Sequence, residues 1–318
     1  MYFSQATIAF VVAAGLVAAA PVKKRDAIND GVILNYALTL EHLEDKFYRD
    51  GLAKFSEKDF ADAGFDATFY ANLKEVSKDE TAHVSFLTTA LNAAGVTPVA
   101  ECTYNFGVTD VNSFVATASV LEGVGVSAYL GAAADIMNKD YLTAAGSILT
   151  VEARHSSYLR ASKKQSPFPQ AFDAPLGYSE VYSLASQFIQ SCPESNPALP
   201  VKAFPAVTVD PKSGTPKTGS TVTLLTSGYT SKDGNSDAPV YAAFISVTGP
   251  TFVEATAVDG GFSVMIPEGF AGQTYAVLTG CNDTVSDDTI GAGPALIEVC
   301  GSHPSSCSTR ANSDQISS

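Results

Sequence analysis

The chain has 318 residues, 46% of them hydrophobic, with a net charge of -14 and a pI of about 4.6. That length can bury a sizeable core and points to two domains rather than one. The acidic balance argues against nucleic acid and against an anionic membrane as partners.

At the start of the chain, Ile8 to Ala19 is apolar, is followed by small residues and is too short to span a bilayer comfortably, so 1–20 reads as a signal peptide. Lys23-Lys24-Arg25 reads as a dibasic processing site closing a propeptide over 21–25, with the mature chain starting at Asp26. No later stretch reads as a membrane span, and the polar tail over 303–318 carries no lipid-anchor signal. The expectation is a secreted protein, extracellular or in the cell wall. Export places Cys102, Cys192, Cys281, Cys300 and Cys307 in an oxidising compartment. Cys102 and Cys192 flank the helical region and are placed to staple it; two of the other three are expected to pair. Asn282-Asp283-Thr284 is an N-glycosylation sequon, expected in an exposed loop.

From 26 to 192 the pattern is helical. Helices are predicted over Ala27 to Arg49, Ala67 to Ala94 with Gly95 as a stop, Asp110 to about Asn138, and Asp140 to Ser162. Gly51 to Gly64 reads as a connection, Val96 to Asp110 as a crossing segment, and Ser179 to Gln190 as a short fifth helix. The half is written twice: Glu41 precedes Tyr48 as Glu122 precedes Tyr129, and a Glu-x-x-His helix follows each. Such a repeat predicts a pseudo-two-fold bundle with a site on its axis. After a linker over 193–204 the composition turns to Pro, Gly, Thr, Ser and Val. Apolar runs at Thr221–Leu225, Val240–Val247, Phe252–Val258, Phe262–Ile266, Tyr275–Leu278 and Ala295–Val299 alternate with turns, among them Asp233-Gly234. That reads as a small β-sandwich over 205–302.

The chemistry lies in the repeat. Glu80-Thr81-Ala82-His83 and Glu152-Ala153-Arg154-His155 each place a carboxylate and an imidazole on one helix face. Glu41 and Glu122 add one carboxylate from each remaining helix. This set, Glu41, Glu80, His83, Glu122, Glu152 and His155, is the one a ferritin-like four-helix bundle uses to hold two transition-metal ions. Four carboxylates carry about -4 and two divalent ions about +4, which lets the cluster be buried. Glu41 and Glu122 are read as the bridging pair. Carboxylate and imidazole together suit iron or manganese, as two divalent ions. Glu44, Tyr48 and Tyr129 are supporting candidates: Glu44 is the rival ligand on the first helix, and the tyrosines are donors or packing residues. Asp79 and Arg154 are read as solvated, and His42 and His303 as exposed.

The run Tyr36 to Tyr48, with Glu41, His42 and Glu44 inside it, followed by Asp79-Glu80-Thr81-Ala82-His83, resembles the secreted ferritin-like proteins of ascomycete fungi. These include stress-response and late-sexual-development proteins and are related to plant desiccation-associated proteins. The resemblance covers about Asp26 to Cys192 and implies a ferritin-like bundle and metal binding, without a known reaction.

Two functions follow as expectations. The first is an extracellular di-metal protein handling dioxygen, peroxide or ferrous iron, an oxidoreductase of ferroxidase or peroxide-handling type if it turns over. The ligands alone do not choose among these reactions. A closed storage cage is not expected, because the β domain obstructs a shell. The alternative is a non-catalytic secreted or wall-associated protein with a structural or vestigial metal site and a partner-binding β domain. The absence of Trp weighs against a sugar platform there.

Overall fold

A computed structural model of the chain describes residues 28–230 and 238–301. The expected signal peptide and propeptide, the Asp233-Gly234 turn, His303, Cys307 and the polar tail lie outside the described residues.

Six α-helices stand among the described residues: α1 Asp30–Lys54, α2 Glu57–Asp62, α3 Ala67–Ala93, α4 Val111–Ala132, α5 Lys139–Ser162 and α6 Tyr178–Ala185. Side-chain oxygens of Asn29, Ser56, Asp66, Asp110 and Asn138 cap the first five and satisfy amides that helices leave unpaired. Helix α1 packs along α3, α4 packs along α5, and α1 crosses α4, so the two sequence repeats form two paired hairpins. The crossing segment is pinned to α1 by Asn35, which donates to Thr97 O and accepts from Val99 N.

Four element boundaries differ from the sequence reading. Helix α1 runs past Gly51, because that glycine makes a close contact rather than a stop: a Cβ there would lie 2.0 Å from the Phe114 ring. Helix α2 forms inside the predicted connection, nucleated by a Ser56–Asp59 capping box. Helix α4 ends at Ala132, because the Asp30 carboxylate takes the amides of Met137 and Asn138 at 2.8 and 2.9 Å and fixes a turn. Helix α6 ends at Ala185 instead of Gln190. The next residues form strand β2 (Ile189–Ser191), which pairs with β1 (Thr103–Tyr104) beside the Cys102–Cys192 disulfide. Cys300 is also disulfide-bonded, and Cys281 is free.

The second half is an all-β domain of antiparallel strands in a nearly closed sheet. Its strands are β3 Thr208–Val209, β4 Thr221–Leu225, β5 Val240–Phe244, β6 Thr251–Val258, β7 Gly261–Met265, β8 Gly272–Thr279 and β9 Ile290–Val299, in the order β3-β4-β7-β6-β5-β8-β9. The start of β6 pairs with β5 and its end with β7, so one strand serves both halves of the expected sandwich. The end strands β3 and β9 lie against each other.

Strand β8 couples the domains through its period of two. Ala276 and Leu278 enter the β core, whereas Tyr275 and Val277 join the helical core. Tyr275 Oη donates to Gly123 O at 3.0 Å and Gln273 Nε2 to Val120 O at 3.1 Å. Arg160 grips Glu298 with two bonds of 3.0 and 2.7 Å. Helix α4 is therefore covered on two sides, which explains its apolar circumference. By length and hydropathy Val111–Asp135 passes as a membrane span, contrary to the sequence reading, yet two-thirds of its most apolar stretch is buried inside the protein.

Candidate metal centre

The four long helices bring all six candidate ligands together. Helix α1 supplies Glu41, α3 supplies Glu80 and His83, α4 supplies Glu122, and α5 supplies Glu152 and His155. The four carboxylates are fully buried, and the imidazoles are 8% and 7% exposed. They form two overlapping groups able to hold a metal ion: Glu41, Glu80, His83 and Glu152, and Glu80, Glu122, Glu152 and His155. Within each group the ligand atoms lie within 4.8 Å of one another.

Glu80 and Glu152 belong to both groups, so they would reach both positions if two ions were held. The sequence reading gave bridging to Glu41 and Glu122, whereas the residues common to both groups are Glu80 and Glu152. Spacing along a helix gives the face of a side chain but not its depth toward the partner helices. Glu80 touches both imidazoles: its Oε2 is 3.1 Å from His83 Nδ1 and its Oε1 is 3.1 Å from His155 Nδ1. Glu41 and Glu122 are drawn to the flanks, with Oε2 of each 3.2 Å from the Nδ1 of its own histidine. Each is held from the opposite helix, since Tyr129 donates to Glu41 and Tyr48 to Glu122. The i+7 tyrosines thus act across the bundle axis, and the pattern repeats the two-fold symmetry of the sequence.

The electrostatics describe a site that holds protons where it lacks cations. Burial raises the pKa of Glu80, Glu122 and Glu152, and the neighbouring carboxylates add to the rise for Glu152. Burial pulls the histidines down, but hydrogen bonds to Glu41 and Glu80 outweigh it and carry His83 up to about 10. Bonds to Glu122 and Glu80 likewise carry His155 up to about 11. Burial and the adjacent glutamates hold Tyr48 and Tyr129 well above the usual phenol range, so both remain donors.

The donor set fits a pair of divalent ions. Neither buried oxygen of Glu152 accepts a hydrogen bond, and the approach of His83 Nδ1 to Oε1 at 3.4 Å leaves Oε2 without a partner, which is costly unless a cation lies against it. Carboxylate oxygen with imidazole nitrogen suits iron or manganese. Glu44 is a fifth buried glutamate, 4% exposed, with its pKa raised by burial and by Glu80, Glu41 and Glu122. It belongs to neither ligand group.

Three supporting residues differ from expectation or were missed. Asp79 is 52% exposed on its side chain, yet its Oδ2 lies 3.2 Å from His155 Nε2. A carboxylate behind a ligating histidine fixes the ring and strengthens the ligand. The position equivalent to Asp79 in the second repeat is Val151, so His83 has no matching carboxylate from that position. His42 is half-buried against Val99 O at 3.2 Å rather than exposed, and Arg154 is exposed as read. Gly125 was missed: a Cβ there would lie 2.7 Å from Glu152 Oε2. Aligning the two repeats would have found it, since Gly125 follows Glu122 as Glu44 follows Glu41.

The comparisons agree with the helical half. Residues 29–165 match the family model of the ferritin-like domain. A fungal relative, protein rds1 of Schizosaccharomyces pombe, is 29% identical over 174 residues, which are 55% of this chain and 42% of the relative. The chain therefore spans less than half the length of that relative.

Proposed function

We propose that the ferritin-like half of this chain holds two divalent ions, iron or manganese, and reacts with a small oxidant outside the cell. The observation that carries this reading is the pair of overlapping ligand groups sharing Glu80 and Glu152. Glu41 and His83 complete one position, and Glu122 and His155 the other. Ions bound there supply Lewis acidity and one-electron redox chemistry toward dioxygen, peroxide or ferrous iron. Tyr48 and Tyr129 keep Glu41 and Glu122 oriented, and Asp79 steadies His155. Secretion is supported by the expected signal peptide and by the Cys102–Cys192 disulfide. The resemblance to stress-response and sexual-development proteins sets the context.

Elemental analysis of the secreted protein, followed by a peroxide- or dioxygen-dependent ferrous oxidation assay, tests the proposal. Two ions per chain with turnover is the expected result. Stoichiometric metal without turnover favours the structural, wall-associated alternative. Full metal content in a Glu80→Ala, His83→Ala double variant contradicts the ligand assignment.

A further inference from the structure

A cavity of about 220 Å³ lies between α1, α4, α6 and the β domain. Its walls are mainly apolar, with Leu43, Val124, Leu184, Phe188, Val207 and Leu296 among them. Glu44 and Gly125 also line it, and they face the ligand cluster. A Cβ on Gly125 would lie 3.1 Å from Glu44 Oε1 and 2.7 Å from Glu152 Oε2, so a single glycine separates cavity and cluster. Among the described residues no hydrogen bond reaches the Glu44 carboxyl, although it is 4% exposed. Its oxygens are open to the cavity rather than sealed in the core, and the second repeat has glycine at this position. The carboxyl therefore offers one polar acceptor to whatever fills an otherwise apolar cavity.

We propose that this cavity binds a ring-sized apolar molecule carrying a hydroxyl, whose O–H donates to Glu44 while its ring packs among the aliphatic side chains. The size supports a single substituted ring, since apolar cavities of about 150 Å³ hold benzene. As a substrate site the proposal rests on the metal-centre reading; as a binding site it stands without it.

Titration of the full secreted chain with phenol and with toluene, by saturation-transfer NMR, tests the cavity in metal-free and manganese-loaded protein. Both probes are expected to bind saturably. Val120→Phe, which fills the cavity from a half-buried wall of α4, is expected to abolish both. Leu184→Phe on α6 takes its place if circular dichroism finds Val120→Phe unfolded. Glu44→Leu is expected to weaken phenol about tenfold, the worth of one hydrogen bond to a carboxylate, and to leave toluene within about twofold. No saturable binding to folded wild type overturns the cavity, as does binding that the filling variants leave intact. Equal effects of Glu44→Leu on the two probes overturn the role of Glu44. Phenol bound by a chain that holds neither manganese nor ferrous iron supports the cavity and overturns the metal-centre reading. Manganese held by a chain that ignores phenol overturns the cavity alone.

Discussion

At the scale of residues, the site works by exchange across the bundle axis. Each flanking glutamate takes its hydrogen bond from a tyrosine on the other repeat, so neither repeat holds its own ligands alone. Tyr48→Phe and Tyr129→Phe each leave one buried carboxylate oxygen without that donor. Each is expected to lower metal affinity about 10- to 100-fold, with closely similar losses because the two positions are equivalent. Manganese titration of the purified variants checks this; loss in only one of them contradicts the symmetric role. Asp79 breaks that equivalence, since it supports His155 and the matching position is Val151. Asp79→Ala is therefore expected to weaken one of two resolvable binding steps about tenfold and to leave the other unchanged.

At the scale of elements, α4 explains much of what composition hides. It gives the site Glu122 and Tyr129, it stands beside Glu152 through Gly125, and its outer side carries the β domain. Gly125→Ala places a methyl group 2.7 Å from the Glu152 oxygen. It is expected to cost about 1–3 kcal/mol and to reduce metal content, as read by urea denaturation and elemental analysis. The convergence of the six side chains was legible because charges inside an apolar stripe need partners and because the repeat writes them twice. Helices with capping oxygens and strands between turns were legible for the same local reason. What the sequence hid depends on contacts between distant segments. Gly51 looked like a stop but accommodates Phe114, and Gln190 looked helical but pairs with a strand near a disulfide. Asp79 looked solvated and is half-exposed, yet its Oδ2 reaches His155. Which carboxylates belong to both groups depends on depth toward the axis, which helical spacing does not encode.

At the scale of the whole molecule, the two halves are joined by Arg160 on Glu298 and by the two-faced strand β8. Arg160→Ala is expected to cost about 1–2 kcal/mol, a moderate figure because Glu298 keeps contact with water. Chemical denaturation of the variant reads this loss.

The pH dependence belongs to the same scale. Burial raises Glu44 and Glu152 well above 4.5, so each costs stability as pH climbs past that value. Burial lowers His83 and His155, yet the glutamates carry them up to about 10 and about 11. Each therefore adds stability that is complete below 6.5 and declines as pH rises toward the folded value. Both signs agree: the melting temperature of the metal-free protein is expected to fall between about pH 5 and pH 9. Ions displace those protons, so the rise in melting temperature caused by manganese is expected to grow with pH. A metal-free protein that gains stability over that range contradicts the charge assignment.

The most direct measurement is anomalous diffraction from crystals of the protein purified from its native source, collected at the iron and manganese edges. Two peaks are predicted, one beside Glu41 and His83, the other beside Glu122 and His155, with Glu80 and Glu152 reaching both. A map without peaks at those side chains, or with its metal elsewhere, contradicts the dinuclear centre.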